Sequence, residues 1–262
     1  MIEISGSNLE DVQQLPLSAF EKEIVKAKDK SPYTYSYDSL EALKFELNMR
    51  SNILNAAVAL FDSGVQFAPF QKSRCNQKYW TRTPSGNFHM NKGVLPAEAI
   101  RDIYQQGHRY AFECSTAIMI VFAKAILDSI GDEAFNTYFK DMTIGDWGAN
   151  NKLPLVLNEH GAQAYPGDSV YFENPDFDPS MPFWQGENAI MLGKGLYYGH
   201  GIGIKSAKNI ISELNEKRKE NSTTSAFLLE LVLHPNFEQL RRIANGGDGV
   251  VARIGAHTYM CV

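Results

Sequence analysis

The sequence predicts an α+β domain in which a buried central helix packs against an antiparallel sheet. Apolar residues fill positions 117–127, interrupted only by Lys124, so this helix has no polar face and is expected in the core. Segments with strand composition follow it, at 153–157, 169–173, 188–192 and 196–204. Gly193-Lys194-Gly195 joins the last two, and a short glycine loop is typical of an antiparallel hairpin.

Further helices are predicted on both sides of the buried one. A capping box at Asp38-Ser39-Leu40-Glu41 opens a helix to about residue 61, and Pro96 opens another that ends near Gly107. Three more are expected at about 206–220, 224–233 and 236–244. No internal repeat and no long linker separates these segments, so the 262 residues predict one domain.

Composition and charge exclude several classes of protein. The hydrophobic fraction of 44% and the charged fraction of 21% are ordinary for a soluble globular chain. The net charge of −5 gives no reason to expect nucleic acid or an anionic membrane as a partner. Residues 1–6 lack the basic and apolar regions of a signal peptide, and no apolar run approaches the roughly 18 residues of a membrane span. We therefore expect synthesis in the cytoplasm, without a signal peptide.

One of the three cysteines stands where the buried helix should begin. Cys75, Cys114 and Cys261 are widely spaced, and their odd number argues against a disulfide framework. Main-chain N–H groups at a helix N-terminus favour thiolate over thiol, and the thiolate is the nucleophilic form. Cys114 is therefore the candidate nucleophile, with a small buried hydrophobic residue as the alternative. The sequence indicates no role for Cys75 or Cys261.

A histidine and a carboxylate are predicted at one end of the hairpin. If Leu192 pairs with Leu196 across the loop, then Asn188 pairs with His200, and Glu187 lies one step away. A slip of one residue in register would leave Glu187 and His200 at the same end. A carboxylate beside an imidazole fixes its tautomer and supports its charged form.

These residues together form the parts of a nucleophilic site. Cys114 supplies the thiol, His200 and Glu187 supply an acid–base pair, and Glu113 adds a second carboxylate directly before the thiol. Taken singly, each has a structural alternative, and Glu113 could be a solvated acid at a helix start. A metal site of Cys, His and Glu is a further alternative, although no second His or Cys lies nearby in the sequence.

The surroundings of the site are rich in aromatic residues and glycine. Most of the aromatics should be core, but Trp147, Trp184 and Tyr171 are candidates for lining the approach to the thiol and excluding water. Gly199 and Gly201 flank the histidine and leave room for close approach of another chain segment or a substrate.

The order of helix with cysteine, antiparallel strands and strand with histidine is that of papain-like folds, including the NlpC/P60 group. The sequence also resembles a known family: the small calcium-independent transglutaminases of spore-forming bacteria, the protein-glutamine gamma-glutamyltransferases of the spore coat. The segments that carry this resemblance are Tyr110-Ala111-Phe112-Glu113-Cys114, residues 171–179, Trp184-Gln185-Gly186-Glu187-Asn188 and Gly199-His200-Gly201-Ile202-Gly203-Ile204.

The resemblance implies a papain-like catalytic domain over residues 1–244, with 245–262 as a C-terminal extension of unknown role. It implies no metal and no cofactor, and acyl transfer from a peptide glutamine to a lysine amine. The nucleophile of the family falls on Cys114, its acidic partner on Glu187 and its histidine on His200. A second acid falls on Glu113.

The resemblance further implies that spore coat proteins with accessible glutamine and lysine are the partners, and that the protein is made in the mother cell and assembled on the coat. Two rival functions remain open. A cysteine amidase or peptidase on the same fold would use the same residues with water as acceptor. A non-catalytic coat scaffold would keep the fold alone.

Overall fold

The computed structural model describes residues 1–7, 9–146, 152–159, 163–247, 250–254 and 257–261. Its α-helices, in chain order, are α1 (Leu9–Gln13), α2 (Ala19–Asp29), α3 (Leu40–Asp62), α4 (Pro96–Gln105), α5 (Cys114–Ile130), α6 (Asp132–Tyr138), α7 (Ala207–Asn215) and α8 (Phe237–Ala244). Its strands are β1 (Ile2–Ile4), β2 (Tyr35–Tyr37), β3 (Gln66–Phe67), β4 (Trp80–Arg82), β5 (Phe88–Met90), β6 (Ala111–Phe112), β7 (Thr143–Ile144), β8 (Leu155–Glu159), β9 (Ser169–Glu173), β10 (Gly186–Gly193), β11 (Leu196–Gly199), β12 (Gly203–Ser206), β13 (Phe227–Pro235), β14 (Val250–Ile254) and β15 (His257–Cys261).

A six-stranded sheet and one buried helix organise the fold. The sheet has the order β12-β11-β10-β9-β13-β8, and every neighbouring pair is antiparallel. Helix α5 packs against α3, α4, α6, α8 and strand β10. Apart from Lys124, Asp128 and Ser129, every residue of α5 is buried, as its apolar composition requires. The α+β class predicted from the sequence is confirmed.

The long helix α3 packs against α5, and its N-cap lies one residue after Asp38, where the predicted capping box begins. Ser39 is the N-cap, and its hydroxyl accepts a hydrogen bond from the N–H of Ala42 at 3.2 Å. At the other end, Gly64 follows the C-cap with φ +81°, the left-handed conformation that glycine adopts without strain. No helix among the described residues combines the length and apolar composition needed to cross a bilayer.

One helix prediction is wrong: the segment 224–233 contributes to strand β13 and forms no helix. β13 lies between β9 and β8 in the sheet. The apolar residues of β13 do not alternate along the sequence. The strand also departs from regular pairing with β9, since the register shifts between Leu228 and Val232. A run of leucines without alternation fits a buried helix as well as a strand, so periodicity did not distinguish the two.

The segment 196–204 was predicted as one strand but forms two. A turn over residues 200–202 separates β11 from β12, so His200 lies in a turn and not within a strand. Gly201 has φ +103°, and a Cβ there would lie 2.9 Å from Cδ2 of Phe67. The space that Gly201 leaves is therefore filled by the ring of Phe67 from β3.

Four buried charges tie the N-terminal helices to the sheet. Glu46 accepts hydrogen bonds from Lys28 and, at 2.7 Å, from Nε of Arg50. Nη1 of Arg50 donates to Asp168 at 2.8 Å, just before β9. All four residues are less than a tenth exposed. The cationic partners hold the pKa of Glu46 well below its usual range, although burial alone would raise it.

We expect Arg50→Met to destabilise the fold strongly. The change leaves Asp168 buried without its cation, and breaking a buried pair from one side costs about 3–5 kcal/mol. Arg101→Met is the matched control, because Arg101 pairs with Asp132 at the surface, where a pair contributes about 0–1 kcal/mol. Urea unfolding monitored by circular dichroism measures both. Equal losses in the two variants would show that the buried network does not hold the fold.

Candidate active site

Cys114 is the first residue of α5, and one residue separates it from the short strand before the helix. β6 (Ala111–Phe112) pairs in parallel with β3, and Glu113 joins β6 to the helix in extended conformation, with φ −89° and ψ 165°. Glu113 is the N-cap but makes no side-chain cap hydrogen bond. The thiol is therefore placed at the positive end of a buried helix, where only 4% of Cys114 is exposed.

The sulfur of Cys114 has one amide and one carboxyl within hydrogen-bonding reach. Nδ2 of Asn188 donates to Sγ at 3.3 Å, and Sγ lies 3.7 Å from Oε2 of Glu113. Burial raises the pKa of Cys114, and the charges of Glu187 and Glu113 raise it further, whereas the N–H donors of Asn188 lower it. In the free protein this balance favours the thiol, with carboxyl groups nearby to accept its proton.

Glu113 is only partly buried and points its carboxyl at the start of α5. Oε2 accepts a hydrogen bond from the hydroxyl of Ser115 at 3.2 Å. Burial raises the pKa of Glu113, while hydrogen bonds from Ser115 and Cys114 lower it. The carboxyl is thus in contact with the thiol and can exchange a proton with it.

Glu187 lies on β10 and is almost fully buried. Oε1 has no hydrogen-bond partner among the described residues, and the main-chain amide of His200 favours the charged form of the carboxyl by lowering its pKa. Burial raises its pKa well above the usual range, and the charge of Glu113 adds to this. A Cβ on Gly199 would lie 2.7 Å from Oε1, so the glycine permits the close approach of this carboxyl.

Both ring nitrogens of His200 have hydrogen-bond partners other than the thiol and the Glu187 carboxyl. Nδ1 lies 3.2 Å from the hydroxyl of Tyr198, and Nε2 lies 3.2 Å from the carbonyl oxygen of Gln66. Because a carbonyl can only accept, Nε2 carries the proton and Nδ1 accepts from Tyr198. The ring packs 4.8 Å from that of Phe112, and burial lowers its pKa to about 4. The expected pairing of the Glu187 side chain with the imidazole is replaced by bonds from the ring to Tyr198 and Gln66.

The predicted register of the hairpin agrees with the structure over most of its length. Ala189 pairs with Gly199 and Met191 with Tyr197, as the sequence predicts, and a bulge near Gly193 takes up one residue at the loop. Glu187 therefore reaches the turn that carries His200, as expected. The turn itself is two residues, Lys194-Gly195, and not the predicted three, because Gly193 belongs to β10 and pairs with Leu196 in place of Leu192.

Three aromatic residues were predicted to line the approach to the thiol. Tyr171 pairs with Asn188 across β9 and β10, and the charges of Cys114 and Glu113 contribute to the raised pKa of its phenol after burial. Trp184 stacks on Phe67, with centroids 6.1 Å apart, and Nζ of Lys217 lies 5.7 Å from a Trp184 ring centroid. Trp147 lies outside the described residues.

Comparison with known proteins decides the family. A family profile described as protein-glutamine gamma-glutamyltransferase matches residues 1–244. The chain belongs to this family. A protein-glutamine gamma-glutamyltransferase of Bacillus licheniformis is 41% identical over 234 residues, covering 88% of this chain and 95% of that protein. One from Bacillus subtilis strain 168 is 39% identical over 245 residues, covering 93% and 99%.

A solved structure of the family has a similar fold. A transglutaminase from Geobacillus stearothermophilus, without its C-terminal extension, superposes with a TM-score of 0.75 at 46% sequence identity. The likeness covers 78% of this chain and 98% of that one. This family of gamma-glutamyltransferases therefore shares the arrangement of helix and sheet described above.

Sequence reasoning missed three groups at this gamma-glutamyltransferase site. Asn188 was placed opposite His200 in the predicted register, which was a signal for its position but not for its contact with the thiol. Tyr198 is two residues before His200, and side chains two apart on a strand share a face. The carbonyl of Gln66 comes from β3, far away in sequence, and no local pattern points to it.

Proposed function

We propose that this chain forms isopeptide bonds between proteins, transferring the γ-acyl group of a glutamine to the ε-amine of a lysine through a thioester on Cys114. The observation that carries the proposal is the placement of the Cys114 thiol at a buried helix start, 3.7 Å from the Glu113 carboxyl. The charge of Glu187 also acts on this thiol and raises its pKa. A thiol beside acid–base groups is the arrangement required for nucleophilic acyl transfer.

The first half-reaction forms the thioester. A carboxylate, Glu113 or Glu187, accepts the thiol proton as Sγ attacks the glutamine carboxamide carbon. Main-chain N–H groups at the start of α5, including that of Cys114, stabilise the oxyanion. The carboxylic acid then returns the proton to the leaving nitrogen, the C–N bond breaks, and ammonia departs.

The second half-reaction transfers the acyl group to lysine. The same carboxylate takes a proton from the ε-amine as the nitrogen attacks the thioester carbonyl. Collapse of the tetrahedral intermediate breaks the C–S bond, and the thiol recovers its proton. The net products are one isopeptide bond and one ammonia. Tyr171 and Trp184 are proposed to line the approach and to limit the access of water to the thioester.

His200 is proposed as a positioning residue. Its ring nitrogens bond to Tyr198 and to the carbonyl of Gln66, and its main-chain amide favours the charged form of Glu187. We propose that the ring thereby holds the turn over residues 200–202 beside the carboxylate. This differs from the role of acid–base partner that the sequence suggested, because both ring nitrogens already have other partners.

We expect His200→Gln to keep measurable activity. Glutamine is polar and uncharged like the neutral imidazole, so the loss in kcat/KM should be smaller than the roughly 10²–10⁴-fold expected for removal of an acid–base group. Steady-state amine incorporation measures this, with circular dichroism as the folding control. A loss within that range in a folded variant would make the His200 ring the acid–base group.

The same variant should change the acid stability of the protein. The folded pKa of His200 is about 4, whereas the unfolded value is about 6.5, so only the unfolded chain binds this proton in between. Wild-type stability is therefore full above pH 6.5 and falls, by up to about 3 kcal/mol from this group, as the pH approaches 4. Urea unfolding across this pH range should show a flatter dependence for His200→Gln.

We also propose a papain-like fold of the NlpC/P60 type for a catalytic domain over residues 1–244, with residues 245–262 as an extension. β14 and β15 pair as an antiparallel hairpin within that extension. The substrates are proposed to be spore coat proteins with accessible glutamine and lysine, and the Bacillus relatives are consistent with this.

Calcium independence is proposed from the resemblance and from the lack of a dense carboxylate loop in the sequence. Within the described residues, no group of three or more His, Cys, Asp or Glu side chains is arranged to hold a metal ion. A chelator control therefore belongs in the test of function.

Incorporation of a fluorescent primary amine into a glutamine-bearing protein tests the proposed function. We expect incorporation at equal rates with and without a calcium chelator, together with release of ammonia. Release of ammonia without incorporation would favour the amidase or peptidase. Alkylation of the thiol without any change in incorporation would favour the scaffold, and a calcium requirement would contradict calcium independence.

A further inference from the structure

Asn188 directs a side-chain hydrogen-bond donor at the sulfur of Cys114. Its Nδ2 donates to Sγ at 3.3 Å. Asn188 is 7% exposed and is held on β10, opposite Tyr171 of β9. The sheet therefore fixes the backbone of Asn188, and burial restricts the side chain that carries the donor.

Two carboxyl groups near the sulfur disfavour its negative charge: Glu113, which precedes it on the chain, and Glu187 on β10. The phenol of Tyr171 on β9 and the ring of His200 in the turn after β11 are neutral and supply no compensating positive charge. A thiolate formed at this position thus meets two carboxyl groups, and a hydrogen bond to a charged acceptor is the strongest stabilisation a neutral group can offer it.

We propose that Asn188 is a further catalytic residue, whose side-chain N–H donor stabilises the Cys114 thiolate against Glu113 and Glu187. The inference rests on the proposed role of Cys114 as nucleophile. It explains how a buried thiol between two acids can still lose its proton. The helix N-terminus acts in the same direction, but its N–H groups are also needed for the oxyanion.

Loss of the hydrogen bond from Asn188 changes the reactivity of the Cys114 thiol in two opposing ways. A hydrogen bond to a charged group changes a pKa by about one unit, so its loss reduces the thiolate fraction about tenfold at a pH below that pKa. The remaining thiolate is more basic and roughly threefold more nucleophilic, because nucleophilicity rises with pKa at a slope of about 0.4–0.5. The net loss of thiol reactivity is about threefold.

Asn188→Leu tests the proposal, because leucine is close to asparagine in shape but has no side-chain donor. Iodoacetamide alkylation of the Cys114 peptide, quantified by mass spectrometry between pH 6 and 9, separates this thiol from Cys75 and Cys261. Asn52→Leu is the matched control. Asn52 of α3 donates a hydrogen bond to Ser129, which lies near the C-terminal end of α5, the helix that begins with Cys114. We expect about threefold slower alkylation at pH 7 for Asn188→Leu and an unchanged rate for Asn52→Leu.

Wild-type alkylation rates in folded Asn188→Leu, or equal losses in both variants, would overturn the inference. If Asn188→Leu does not fold, Asn188→Asp keeps the shape and replaces the amide by a carboxylate. Its alkylation at pH 8 should then fall at least as far, and an undiminished rate would overturn the inference. Slower alkylation in a protein whose wild type incorporates no amine would leave the inference standing and refute the proposed function.

Discussion

Replacing Cys114 by alanine is expected to abolish amine incorporation while the protein remains folded. The sulfur is the only side-chain atom of the residue that the proposed chemistry uses, and a thioester can form only on a cysteine sulfur. Alanine is a good helix former, and α5 begins at this position, so the helix should persist. Incorporation of a fluorescent amine and thermal unfolding are measured on the same preparation.

Cys75→Ala is the control for loss of a thiol elsewhere. Cys75 is half-buried, its sulfur faces the carbonyl of Trp80 at 3.6 Å, and burial raises its pKa to about 11. Its raised pKa disfavours the nucleophilic thiolate, so the variant should retain wild-type activity. Activity that survives in folded Cys114→Ala would remove Cys114 from the mechanism.

The second large effect is expected from the two acids together. If Glu113 and Glu187 can each take the thiol proton, either glutamine substitution alone should leave measurable kcat/KM. The double substitution should then lose far more than the sum of the two single losses in free energy, since groups that substitute for one another are not additive. Glutamine preserves the shape of each side chain while removing its acid–base function.

The pH profile separates charge effects from chemistry. Glu113 raises the pKa of both Glu187 and Cys114, so Glu113→Gln should lower both. The rise of activity with pH should then begin at lower pH in this variant. Additive losses would instead make Glu113 an electrostatic partner of the helix start. Complete loss in Glu187→Gln alone would make Glu187 the sole acid.

The parts of the site that local sequence encodes could be predicted. Cys114 stands at the start of a segment so apolar that it can only be a buried helix. The segment Gly193-Lys194-Gly195 indicates the hairpin, although the turn is only Lys194-Gly195, and the pairing of β10 with β11 brings Glu187 to the turn of His200. Each of these inferences uses a pattern within a few residues, where chain geometry leaves little freedom.

The parts that depend on distant segments could not be predicted. The orientation of the His200 ring is decided by the carbonyl of Gln66 and the ring of Phe112, which β3 and β6 bring to it. Strand β13 was mistaken for a helix because its neighbours in the sheet, and not its own periodicity, determine its conformation. Such contacts follow from topology.

The depth of the Cys114 sulfur bears on which glutamines the enzyme can modify. Only 4% of the residue is exposed, so a donor must extend a narrow, unbranched side chain toward the helix start while its own backbone stays outside. We therefore expect a glutamine in a loose loop or an unstructured terminus to be a better donor than one on a rigid, flat protein surface. Asparagine is one methylene shorter, so we expect it to be the poorer donor. Local mobility of the substrate is then expected to matter before any sequence preference acts.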